Sequence, residues 1–177
     1  MLDSVKTFLR TRSLKKDSSN EPTGFLPMKE IKSAVAFIDV EDTSFDTCKI
    51  RLQAFYRDHN IKGEIFFLDF RKITKEERLI TSITTTVLRK DLNWFGKPSR
   101  EKVSLLLGSE PDLFISLIKD ECYPLEYMAN LSHARFKIGR KQIYGNVFDL
   151  VVNDPAEKSL NEADAFSAIR QILERVI

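Results

Sequence analysis

Asp112-Leu113-Phe114-Ile115-Ser116 and Asp149-Leu150-Val151-Val152-Asn153 share one pattern: an aspartate, an apolar run of strand length, then a small polar residue. Between them lies Ala134-Arg135-Phe136-Lys137-Ile138-Gly139-Arg140, where apolar and basic residues alternate. A near-continuous apolar run marks a parallel strand covered on both faces, whereas alternation marks a strand with one face in water. The two aspartate-led runs therefore read as buried strands, with Asp112 and Asp149 as caps at their starts. The basic run reads as a half-exposed strand at or near a sheet edge, with Arg135 and Lys137 on its outer face.

The same apolar signal recurs upstream, at residues 34–40 and 65–70. Between these runs Thr43 and Asp46 fit a helix start of the capping-box type. Cys48, Leu52, Phe55 and Tyr56 follow at helical spacing, and the segment ends near His59-Asn60. Strand, helix and strand at this spacing form a βαβ unit. Residues 83–88 are β-branched and predict a further strand. Ser99 can cap a helix running to about Leu107, with Gly108 as its stop, and Pro124 suits the first turn of a helix to about Leu131. Asn161 caps a last helix in which Ala165, Phe166, Ile169, Ile172 and Leu173 share one side. Residues 72–80 are highly charged and read as surface. Alternating strands and helices predict a three-layer, Rossmann-like α/β sandwich with a mainly parallel sheet, in a single domain over residues 34–177.

Ahead of that domain, residues 1–16 place Leu2, Val5, Phe8 and Leu9 on one helical face. Lys6, Arg10, Arg12, Lys15 and Lys16 stand against Asp3, so the segment reads as a basic amphipathic helix. It either packs on its own domain or docks on a protein partner or a second copy in a homodimer. Four apolar residues make a weak anchor for a membrane surface. Residues 17–33 read as a linker, since the stretch from Asp17 to Gly24 is polar and turn-rich.

A length of 177 residues suits one domain with a real core. The net charge of +2 excludes polyanion binding by bulk charge, and nucleic acid would need a larger basic face interleaved with aromatics. The two cysteines, Cys48 and Cys122, lie too far apart for a Cys-x-x-Cys site and do not make a disulfide framework. No apolar stretch approaches the roughly 18 residues of a membrane-spanning helix, and no signal peptide is visible, so the expected location is cytoplasmic.

Candidate chemistry is sparse. The first strand is followed by Glu41-Asp42-Thr43-Ser44-Phe45, with no glycine to let a phosphate approach the backbone. Acids and bases stand after each strand: Asp39, Glu41 and Asp42, then Asp69 and Arg71, then Lys119, Asp120 and Glu121, then Asn153 and Asp154. They read as polar loops and helix caps rather than a divalent-cation or ribose site, because no cation-loop signature accompanies them. The loop Asp91-Leu92-Asn93-Trp94-Phe95-Gly96-Lys97-Pro98 holds the lone tryptophan. Trp94 there either stacks on a ring, beside Asp91 and Asn93, or plugs a long connection. Arg135, Lys137 and Arg140 either receive an anion or protect an edge strand. His59 and His133 have no nucleophile in a catalytic arrangement, and ligands at zinc spacing are missing. No cofactor and no metal is expected.

The pattern from Asp112 to Ser116, the run from Ala134 to Arg140, and Phe148-Asp149-Leu150-Val151-Val152 resemble an uncharacterised bacterial family of small α/β proteins, a domain of unknown function. The likeness takes in Asn93-Trp94-Phe95-Gly96-Lys97-Pro98 and covers most of the chain; it carries no activity over to particular residues. Residues 111–140, with their Arg-x-x-Ile-Gly from Arg135 to Gly139, also look like part of the amino-terminal half of heptosyltransferase-type glycosyltransferases. That likeness implies a second, donor-binding domain, for which 177 residues leave no room. The glycine-bearing turn of those enzymes is missing after the first strand.

With no catalytic constellation, the sequence points to a non-enzymatic α/β binding or interaction module. The alternative is a small enzyme, or half of one, acting on a sugar-phosphate or nucleotide-like anion. Its candidate ligand-binding residues are Asp91, Asn93, Trp94, Arg135, Lys137 and Arg140, with Asp91 as a possible base.

Overall fold

In the computed structural model the described residues are 2–72 and 81–175. Among them six strands form one all-parallel sheet: β1 (Ser33–Asp39), β2 (Lys62–Asp69), β3 (Thr86–Leu88), β4 (Leu113–Ser116), β5 (Phe136–Gly139) and β6 (Leu150–Val151). Their order is β3-β2-β1-β4-β5-β6. The chain thus builds outward from β1 to β3, returns to the centre, and builds outward again from β4. Register is continuous across the centre, where Ala36 lies opposite both Ile65 and Ile115.

Five α-helices among the described residues accompany the sheet: α1 (Leu2–Asp17), α2 (Phe45–Asp58), α3 (Arg100–Ser109), α4 (Tyr123–Leu131) and α5 (Glu162–Arg175). The period-two alternation of each strand sends its residues into two cores. Ala34, Ala36, Ile38, Leu113 and Ile115 pack with Leu52 and Phe55 of α2 and Phe166 and Ile169 of α5. Val35, Phe37, Phe66 and Phe114 pack with Leu106 of α3 and Met128 of α4. On that second face Phe37 stacks between Phe66 and Phe114, with centroids 5.0 and 5.1 Å away. Each such pair is worth roughly 0.5–1.5 kcal/mol beyond its buried area. The result is the expected three-layer α/β sandwich, with helices on both faces of a parallel sheet.

Several expected boundaries shift for local reasons. The capping box expected from Thr43 and Asp46 is not what opens α2: Asp42 Oδ1 accepts from the Ser44 N–H and hydroxyl. Gly108 lies inside α3, and Glu110 adopts the left-handed conformation that ends it. Asn161 does cap α5, its Oδ1 accepting from the Asp164 N–H at 2.8 Å. The charged surface expected over residues 72–80 falls, from 73 onward, outside the described residues.

The largest correction concerns β5. It is not a half-exposed edge strand: it pairs with β4 on one side and β6 on the other, and all four of its residues are buried. Lys137, expected on an open face with Arg135, is 3% exposed. Its ammonium donates to the carbonyls of Ala129 and Ser132, at the carboxyl end of α4. Those carbonyls have no helical partner, so the lysine satisfies them and meets the negative end of the helix. Burial pulls the Lys137 pKa down to about 8, against the opposing charge of Asp149. Gly139, on the same face, is glycine because an added Cβ would lie 2.4 Å from the Phe148 ring.

Residues 18–32 run along the domain. Ser19 N–H donates to the Asn130 carbonyl and Gly24 N–H to the Arg135 carbonyl, and Leu26 is buried. The carboxyl-terminal half of α1 packs on α4 through Leu14, Tyr123 and Tyr127. Asp17 ties it down, accepting from Lys97 Nζ at 2.7 Å and from the Tyr127 hydroxyl at 2.8 Å.

Candidate functional site

The strand order reverses between β1 and β4. The chain leaves β1 toward α2 on one face, and leaves β4 toward α4 on the other. The two loops therefore part, and a crevice opens beyond the carboxyl ends of the strands, where open parallel sheets hold their ligands. Here it is about 420 Å³, lined by Asp39, Glu41 and Asp42 after β1, Lys119 and Asp120 after β4, Arg140 after β5, and Ser159 and Glu162 at the start of α5.

Arg140 forms one wall. Its Nη1 donates to the Leu117 carbonyl at 3.1 Å, and its Nη2 to Asp154 at 2.5 Å and the Leu160 carbonyl at 2.7 Å. It is 4% exposed, and its Nε has no hydrogen-bond partner among the described residues. Burial works to raise the Asp154 pKa, but the hydrogen bond and charge of Arg140 outweigh it and hold the carboxyl below its ordinary value. The guanidinium is thus already neutralised and pins three segments of chain together.

Glu162 is buried, and both its oxygens accept from the Asp39 N–H, at 3.0 and 3.1 Å. Burial, then repulsion from Asp42 and Asp39, outweighs that hydrogen bond and Arg140, and pushes its pKa up to about 9. It therefore carries a proton at neutral pH. Asp39 is also raised, by burial first, then by Glu41, Asp42 and Asp120, against the Glu41 N–H that it accepts. The crevice concentrates negative charge.

A second cavity, about 210 Å³, lies beyond β4 on the α4 side and shares Ile118, Lys119 and Asp120 with the first. Ser116, 1% exposed, contributes an Oγ with no partner among the described residues. Cys122 and Glu126 are in the same lining. Burial raises the Cys122 thiol to about 11, so it stays protonated and weakly nucleophilic. Burial, then Glu121, also raises Glu126.

The six candidate residues read from the sequence divide between separate places. Asp91, Asn93 and Trp94 share the loop after β3. Asp91 accepts from the Leu88 N–H at 2.9 Å, and Asn93 Oδ1 accepts from the N–H groups of Phe95 and Lys97 at 3.1 and 2.9 Å, so both shape the chain. Trp94 is 57% exposed and sits edge-to-face on Phe95, whose carbonyl receives Arg10 of α1. Arg135 lies at the amino edge of the sheet, paired with Asp112 at 3.1 Å and Glu30 at 3.8 Å. Lys137 lies beneath α4. Of the six, Arg140 alone lines the crevice.

Two residues of this region escaped the sequence reading, Ser116 and Glu162. Ser116 was in view as the polar end of the aspartate-led pattern. Glu162 directly follows the helix cap Asn161. Neither type nor spacing distinguishes them; only the strand order brings them to the crevice. Among the described residues no three His, Cys, Asp or Glu side chains are placed to hold a metal ion, and no helix is long and apolar enough to cross a membrane.

Residues 3–165 match the model of a family of unknown function (DUF6913), and the chain belongs to that family. No curated protein and no solved structure matches it.

Proposed function

We propose that this member of the family is a non-enzymatic binding module whose crevice, at the reversal of strand order, holds a small polar ligand. The observation that carries the reading is topological. The loops after β1 and β4 leave for opposite faces of a parallel sheet, and the space between them, about 420 Å³, is of the size that small-molecule sites occupy. Binding rather than catalysis is supported by the state of the nearby groups. The Cys122 thiol is held neutral, and neither histidine is in the lining. The expected anion site has less support, since Arg135 and Lys137 belong to different parts of the fold and both are already paired. A cytoplasmic setting, a bacterial origin and kinship with the amino-terminal half of heptosyltransferase-type glycosyltransferases belong to the same proposal. A thermal-shift screen of nucleosides, sugars, amines and sugar phosphates at millimolar concentration tests it. A stabilising ligand whose effect disappears in a Glu41→Ala/Asp120→Ala double variant is the expected result. No stabilisation by any class, or stabilisation that the double variant retains, contradicts it.

A second reading concerns α1. Its carboxyl-terminal half is anchored, while Leu2, Val5 and Phe8 are exposed, at 71%, 45% and 62%. These side chains support docking on a protein partner or a second copy. Light scattering on a Val5→Ser/Phe8→Ser variant checks the homodimer. A wild-type dimer mass that falls to a monomer in the variant supports it, and a monomeric wild type counts against it.

A further inference from the structure

We propose that the crevice is a site for a small organic cation: a primary amine on a hydroxyl-bearing scaffold, its ammonium among Asp39, Glu41, Asp42 and Asp120 and its oxygens turned toward Arg140 and Ser116. This rests on the reading of the crevice as a ligand site and adds the charge and chemistry of what enters it.

Charge comes first. Five acids line the crevice against two cations, Lys119 and Arg140, and with Glu162 protonated four carboxylates remain. Arg140 is cancelled by Asp154 at 2.5 Å, and Lys119 Nζ donates to Ser159 Oγ at 2.5 Å. Among the described residues none of the four carboxylates has an ion pair, and their mutual repulsion contributes to the raised pKa of Asp39. A bound cation would relieve that repulsion; a phosphate would add to it.

The usual attraction of a helix start for an anion is blocked here. The amino terminus of α5 faces this region, and free N–H groups there would favour negative charge. They are occupied instead. Glu162 N–H donates to Asp42 at 3.4 Å, Ala163 N–H to Ser44 Oγ at 3.0 Å, and Asp164 N–H to Asn161 at 2.8 Å.

The rest of the ligand is constrained as well. A bare divalent ion is disfavoured, because no three candidate side chains among the described residues are placed to ligate one. An ammonium on a larger scaffold needs no such cage. Two buried polar atoms have no partner among the described residues: Nε of Arg140, which lines the crevice, and Oγ of Ser116, which lines the cavity sharing Lys119 and Asp120 with it. A donor left unpaired in a buried place is costly, and both groups can donate to a ligand oxygen. Hydroxyls on the cation's scaffold match this need; an alkylamine does not.

Three probes on one scaffold separate the possibilities. Glucosamine, glucose and glucose 6-phosphate are titrated calorimetrically into the full chain at low ionic strength and mildly acidic pH, where the amine is protonated. Glucosamine is expected to bind at least about tenfold more tightly than glucose, with no heat from glucose 6-phosphate, and to weaken as salt is added. Glu41→Ala/Asp120→Ala should abolish the preference for glucosamine over glucose. Ser116→Ala should weaken both sugars while keeping the preference. Glucosamine that fails to bind, or binds no better than glucose, overturns the inference. If glucose 6-phosphate binds and the double variant changes its affinity, the cation is wrong while the crevice remains a site. Binding that neither variant alters removes the crevice reading as well.

Discussion

The two edges of the sheet use their acids differently. At the amino edge each aspartate is spent on the fold. Asp112 Oδ2 accepts from the N–H groups of Lys32 and Ser33, at 2.9 and 3.0 Å, and its other oxygen accepts from Arg135. Asp149 repeats the device two strands further out, accepting from the Lys137 N–H at 2.8 Å and the Thr23 hydroxyl at 2.6 Å. At the carboxyl edge Asp39, Glu41, Asp42 and Asp120 gather without an ion pair among the described residues, and one buried arginine holds the surrounding chain. Aspartate caps backbone at both edges, Asp42 among them, but only where the sheet opens the crevice do several acids gather with no ion pair.

The largest expected effect would test the one structural member of the carboxyl edge. Arg140→Met leaves Asp154 and the carbonyls of Leu117 and Leu160 without their shared donor. Denaturant unfolding should show a loss of about 3–5 kcal/mol, as for other buried pairs broken from one side. A loss below about 1 kcal/mol would show that the loops hold themselves.

Next comes the amino edge. Asp112→Ala removes acceptors from two backbone N–H groups, the Ser33 hydroxyl and Arg135. A loss of roughly 2–3 kcal/mol is expected, and Asp149→Ala should cost about the same or less. Near-neutral outcomes at both would erase the contrast between the edges.

Glu162 gives a pH test. Its pKa is about 9 in the folded chain, against an ordinary 4.5. The folded state therefore binds the extra proton, and this contribution to stability is full below the unfolded pKa and is lost as pH rises through about 9. Lys137 has the opposite sense: its pKa falls to about 8, so its share is present above the ordinary 10.5 and is lost as pH falls through about 8. Melting temperature should decline from pH 5 toward pH 8 in the wild type. The decline should flatten in Glu162→Gln, which keeps an acceptor for Asp39. An unchanged decline in that variant would remove Glu162 as its cause.

The smallest expected effect is the one that defines the crevice. Glu41→Ala and Asp120→Ala should each alter stability by no more than about 0.5 kcal/mol, and removing charge repulsion favours the positive sign. A substantial loss in either would show that these carboxylates, like Asp112, are structural.

The layers of the fold were legible because buried parallel strands leave apolar runs that no surface element imitates. Asp112 and Asp149 were legible as caps because they precede such runs. Lys137 was not. A lysine whose ammonium caps α4 from beneath gives the same alternation as a lysine in water, and only the position of α4 tells them apart. The crevice acids were visible one by one and read as ordinary loop polarity. Their meaning depends on strand order, which brings residues 39–42, 119–120 and 159–162 together and is not written in any local pattern. Ser116 and Glu162 needed the same information. Trp94 was legible as notable: it is 57% exposed and packs edge-to-face on Phe95.

The most direct test of the central claim is amide chemical-shift mapping of the labelled protein with glucosamine. The account predicts shifts that saturate and centre on residues 39–43, 116–121 and 159–162, with the loop of residues 91–98 and the amino edge around Arg135 unmoved. Shifts centred on Trp94 or Arg135, with the crevice silent, would contradict it.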